Sequence, residues 1–242
     1  MRQLKRNCIF GGAFILTIFV VSCANVTKIA ANTQKKGLTE SQIIAGLKDA
    51  LNVGSKNAAT ILNKKDGYFR DAAVKIPFPP ELSTVERTLR SFGAGSNVDT
   101  FIERMNRGAE DAAIESVDIF AGKVRAMTFA DARTILFGGV DNAATQYFKR
   151  TTTDSLAAAF RPKIGNSLDK VHATTLWREI TQQYNKIPGV NKVDTDLIRY
   201  VCDRALSGLF SKIEIEERRI RKEPAFRVTA ILKQVFGELD KK

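Results

Sequence analysis

The chain contains a single histidine, His172, and only three cysteines among 242 residues. One histidine excludes an HExxH zinc site and any histidine-rich metal centre. Two of the cysteines, Cys8 and Cys23, fall in the N-terminal segment, so Cys202 stands alone in the remainder. A lone thiol cannot close an internal disulfide, and no disulfide framework holds this fold. The sequence also lacks a GxSxG elbow, a Walker loop and EF-hand spacing. The stretch "GAGSNV" at 93–98 has neither the third glycine nor the preceding strand of a dinucleotide fingerprint. No stretch alternates convincingly as a strand, and no internal repeat or low-complexity block is visible. Long apolar runs are nearly absent, with one exception near the start.

That exception, Ile9 to Val21, follows Arg2, Lys5 and Arg6 and is too short for the ~20 residues of an unaided span. A basic start and a short apolar run form a secretory signal. The run ends in Val20-Val21-Ser22-Cys23, which resembles the bacterial lipobox. Residues 1–22 are thus expected to be a cleaved signal peptide, with Cys23 lipidated and binding the membrane. Ala24 rather than aspartate follows Cys23, which resembles an outer-membrane sorting signal of Gram-negative lipoproteins. Two or three acyl chains anchor stably where one does not. Residues 23–37 then form a polar tether with a root-mean-square reach of about 20 Å. The expected location is periplasmic and lipid-anchored, at the outer membrane in a Gram-negative cell.

The formal charge is +12, of which three charges precede the apolar run and nine remain after it. Such a body is attracted to anionic surfaces. Export and an aromatic content of 8% argue against nucleic acid as the partner.

From residue 38 to 242 the expectation is an all-α, single multi-helix domain of eight or nine helices, the alternative being a division near Gly138-Gly139. Thr39 and Gln42 form a capping box for a first helix to about Asn63. "VKIPFPPEL" (74–82) carries three prolines and reads as an extended crossing, followed by a helix to Phe92. The longest clean pattern runs as one helix from 97 to 124, with Val98, Phe101, Ile102, Met105, Ala109 and Ala112 in one stripe. Thr128 caps a short helix that closes at Gly138 as C′ residue. Asp141 caps the next, which Pro162 kinks or restarts. A helix after His172 carries Leu176, Trp177, Ile180 and Tyr184. Asp194 caps a long helix to about Arg221, and Pro224 opens the last.

Two places draw chemical interest. In "FIERMNRGAEDAAIESV" (101–117), Ile114 falls opposite the apolar stripe, so the helix is covered on more than one side. Asn106, Arg107 and Glu110 would then be partly buried and need partners. The bland reading is a solvated ladder Glu103–Arg107–Asp111. In "FADARTILFGGVDNAATQYF", a helix start near Asp141 exposes N–H groups suited to an anion, with Asp131 and Tyr147 close in sequence. The bland reading there is a tight glycine corner. Glu214, Glu216 and Glu217, alternating with Arg218 and Arg219, read as a solvated face.

Six motifs occur in order: "LTESQIIAGLKDAL", "GYFRDAAVKIPFPPEL", "RMNRGAEDAA", "MTFADARTILFGGVDNAATQYF", "AAFRP" and "IRKEPAFRVTAILKQVFG". Together they resemble the bacterial family called domain of unknown function 4197. That resemblance implies a helical exported protein and no established activity, cofactor or catalytic residue. The functional expectation is a membrane-anchored binding, scaffold or carrier protein, with an amphiphile or envelope protein as partner and no cofactor or metal. The alternative is an envelope hydrolase using Glu103, Glu110 or Asp131 as acid or base.

Overall fold

The computed structural model describes residues 38–170, 172–189 and 191–239; the signal, Cys23 and tether lie outside them. Among the described residues there are nine α-helices and two 3-10 turns, and no strand. The fold is all-α. Residues from 38 onward form one compact unit, with no division at Gly138-Gly139.

Thr39 caps α1 (Glu40–Asn63) as its box predicts, with the Gln42 amide donating to Thr39 Oγ1 at 3.2 Å. A loop and an extended segment lead to a 3-10 turn, Pro80–Leu82, and to α2 (Ser83–Ser91). The expected 97–124 helix is two helices, α3 (Gly95–Ala113) and α4 (Ser116–Ala126). Their break at Ile114 leaves that side chain 44% exposed, so Ile114 does not mark a second covered face. Both halves pack on α6 (Ala143–Asp169) and α1, α3 mainly on α6 and α4 about equally on the two.

Between them and α6, α5 (Phe129–Phe137) is capped by Thr128. Gly138 is the C-cap, and the left-handed turn falls one residue later, at Gly139 (φ 72°). Pro162 neither ends nor restarts α6, which runs through it. Pro162 and Ala158, whose carbonyl it cannot satisfy, are both exposed, so water can serve that group.

α7 (Ala173–Tyr184) precedes α8 (Leu197–Lys222), which is capped by Asp196 rather than Asp194. Asp194 instead accepts from the Asp196 amide. Pro224 opens only a 3-10 turn, Pro224–Phe226, and α9 (Ala230–Leu239) starts later. α6 and α8 form the centre, touching each other and most of the remaining helices. The α8 stripe Leu197, Val201, Ala205, Leu209 and Ile213 is buried throughout, each large side chain contributing about 1.5–3 kcal/mol. Cys202 sits in this core at 1% exposure, where burial pushes its thiol up to about 11; it is a packing residue.

The 74–78 segment alternates buried Val74, Ile76 and Phe78 with exposed Lys75 and Pro77. It has strand periodicity without a strand partner. The Asn106 side chain takes the partner's place: its Oδ1 accepts from the Ile76 amide and its Nδ2 donates to the Ile76 carbonyl, both at 2.8 Å.

Candidate functional site

Asn106, Arg107 and Glu110 come together along α3, and their partners lie in the loop that precedes the extended segment. Glu110 is 3% exposed. Its Oε1 accepts from the Tyr68 and Phe69 amides, each at 3.1 Å, and its Oε2 accepts from Arg107 at 2.6 Å. Arg107 reaches onward to Asp66 at 2.7 Å and Glu103 at 3.1 Å, so its ladder runs to Glu110 and Asp66 rather than to Asp111. Burial pulls the Arg107 guanidinium down, but its hydrogen bonds to the Glu110, Asp66 and Glu103 carboxylates outweigh it and hold the group above its ordinary value. Asp66 adopts a left-handed backbone (φ 70°), uncommon for a residue other than glycine. Every buried side-chain nitrogen or oxygen among the described residues has a partner. The network pins the 66–76 loop onto α3 and has no free donor aimed at a ligand.

A second internal network replaces the cap expected from Asp141. Asn142 is the α6 N-cap residue and makes no side-chain cap bond. Glu217 of α8 crosses to that helix start and accepts from the Ala144 amide at 3.0 Å and from the Thr145 amide at 2.8 Å. The anion suited to these N–H groups is therefore already present in the chain. Arg221 pairs with Glu217 at 2.8 Å, and Asn57 donates to Glu216. Glu216 and Glu217 are buried, against the solvated face expected of them. Asp141 lies on the surface, bonded to Lys222 at 2.7 Å.

Asp131 and Tyr147 share a cleft of about 330 Å³ between α5 and α6, with Gln146 and Arg150 at its wall. Bonds from the Thr128 hydroxyl and amide hold the Asp131 carboxyl below the usual range, while burial raises the Tyr147 phenol. Asp131 closes its own capping box and is committed to the backbone. His172, at the start of α7, is exposed and makes no side-chain cap bond. No group of His, Cys, Asp or Glu among the described residues could hold a metal. No described helix is long and apolar enough to cross a membrane.

The least satisfied surface is apolar. α2 contributes no buried residue. Its Val85 and Leu89 face Leu176, Ile180 and Tyr184 of α7 across a groove. The deep end, about 150 Å³, is floored by Phe78, Phe101 and Trp177. Their ring centroids lie 5.5–6.1 Å apart. Trp177 is anchored by its indole N–H to the Asp194 carbonyl at 3.1 Å. The outer end opens to about 640 Å³ beside Ile187 and Glu179. Leu176 and Ile187 are each 52% exposed. By contrast, an apolar pocket lined by Leu47 and Phe148 measures only about 20 Å³, room for one water. That pocket has no space for an acyl chain, whereas the surface groove does. Sequence periodicity placed Leu176, Ile180 and Tyr184 on one helix face but carried no sign that the face stays uncovered.

The sequence matches the family described as Protein of unknown function (DUF4197) over residues 37–237. No curated protein and no solved structure matches the chain. The chain belongs to this family.

Proposed function

From membership in a family without an assigned activity, we propose that this protein is a membrane-tethered binding protein of the bacterial envelope, held by an acylated Cys23. Its α2–α7 groove takes the acyl chain of a single-chain amphiphile. The observation that carries this reading is the groove itself, apolar from the Phe78–Phe101–Trp177 floor to its Ile187 mouth. Each methylene laid on that surface contributes about 0.8 kcal/mol on full burial. Glu179 and Gln183 edge the open end, where a polar head would meet water. The short tether keeps the groove close to a source of such molecules.

The hydrolase alternative has less support. Glu110 is buried but spends both oxygens on amides and a guanidinium, and Asp131 is held ionised by its cap. A general acid needs a carboxyl raised toward neutral pH and open to substrate. Intact mass measurement on gently extracted protein tests the proposal. It should find an N-terminus at Cys23 bearing acyl chains, with an amphiphile co-purifying. An unmodified Met1 would sink the anchor, and ligand-free protein that takes up no added lysophospholipid would sink the groove.

A further inference from the structure

A second surface cleft carries two cations, Lys75 and Arg204, that make no ion pair among the described residues. Arg204, Ser207 and Ser211 follow one another at spacings of three and four along the exposed side of α8. The loop from Ala73 to Lys75 passes in front of them and closes a polar cleft of about 180 Å³. Gly208 permits this approach: a Cβ there would stand 2.8 Å from a Tyr68 ring carbon and 3.1 Å from Val74 Cβ.

Both cations of the cleft are steadied by aromatic rings. Lys75 Nζ lies 4.6 Å from the Phe69 ring centroid, and the Arg204 guanidinium carbon lies 5.5 Å from that of Tyr200. Tyr200 is fixed in turn by its hydroxyl donating to the Pro77 carbonyl at 3.2 Å. A ring holds a cation in place while leaving its charge and outward N–H donors available. No carboxylate among the described residues lies within ion-pair distance of Lys75 or Arg204. The nearby Lys212 differs, being bonded to Asp71, whose other oxygen takes the Ala73 amide. Asp71 is thus already paired.

We propose that this cleft binds a phosphate group. A guanidinium fork, an ammonium point charge and two hydroxyl donors are the set that tetrahedral phosphate oxygens accept from. The site goes beyond the amphiphile groove and shares no residue with it. A phospholipid headgroup and a soluble phosphate ester present the same chemistry, so the test separates the two sources.

The full chain, kept in a phosphate-free maltoside detergent, is titrated calorimetrically with inorganic phosphate and with soluble dihexanoyl phosphatidic acid. K75Q/R204Q should weaken binding by at least about tenfold. Both residues are exposed, so the fold survives the change. Leu176→Glu, in the groove, should leave phosphate binding unchanged, which separates failure of this site from failure of the groove. K56Q/K149Q removes the same charge from exposed positions elsewhere and should also bind normally. Binding of both ligands, lost in K75Q/R204Q, assigns the site to the phosphate group itself; binding of phosphatidic acid alone, lost in the same variant, assigns it to membrane headgroups. Absence of binding to either, persistence in K75Q/R204Q, or an equal loss in K56Q/K149Q overturns the proposal.

Discussion

Arg107 and Arg90 stand a few helical turns apart, each bonded to neighbouring carboxylates, yet they belong to opposite kinds of structure. Arg107 joins Glu110, Asp66 and Glu103 where the 66–76 loop is pinned to α3 by the buried Glu110. Arg90 joins Glu86 at 3.0 Å and Asp99 at 2.8 Å on the outer side of α2, a helix with no buried residue. The first cluster holds a frame together; the second decorates a rim. The contrast teaches where binding can occur. The frame has no unsatisfied group to offer, while the rim leaves an apolar face of α7 uncovered.

The sharpest way to break that contrast is Glu110→Ala. It strands two amides and removes the buried partner of Arg107, and should cost about 3–5 kcal/mol in chemical denaturation. Asn106→Ala comes next. It leaves Ile76 without both backbone partners and should cost about 2–3 kcal/mol, with faster proteolysis in the 66–78 segment.

A smaller effect is expected in acid. The bond from Lys212 lowers the Asp71 carboxyl below its ordinary 3.8, and the Thr128 cap does the same for Asp131. A carboxyl whose folded value is depressed contributes stability above its unfolded value, and loses it as pH falls through the folded one. Unfolding midpoints should therefore decline below about pH 4, and D71N should flatten that decline. At the small end, Arg90→Gln should leave the midpoint unchanged, because exposed pairs contribute little. A drop comparable to that of Glu110→Ala would erase the distinction between frame and rim.

What sequence pattern revealed was local. The box Thr39–Gln42 and the N-cap at Thr128 depend on residues close in sequence, and both form; that Asp131 closes a second box with Thr128 went unread. The apolar stripes of α3 and α8 follow from helical period alone. What stayed hidden was set across the chain. Asn106 meets Ile76 of the extended segment and Glu217 meets Thr145 of α6 through packing of elements remote in sequence, which no periodicity encodes. The break at Ile114 has neither glycine nor proline to mark it. Glu216 and Glu217 read as solvated because their partners, Asn57 and the α6 start, are remote in sequence. Trp177 was legible only as one apolar residue of a helix with Leu176, Ile180 and Tyr184; that it is buried while Leu176 is half exposed depends on how sparsely α2 covers α7.

Trp177 is also the only tryptophan, so its fluorescence reports on the groove floor alone. The most direct measurement is its quenching by a lysophospholipid brominated along the acyl chain, added as monomers to the body from residue 38 onward. The groove predicts saturable quenching that the unbrominated lipid competes away and that Leu176→Glu abolishes, with the unfolding midpoint of that variant nearly unchanged. Quenching that is absent, or that persists undiminished in Leu176→Glu, would contradict it.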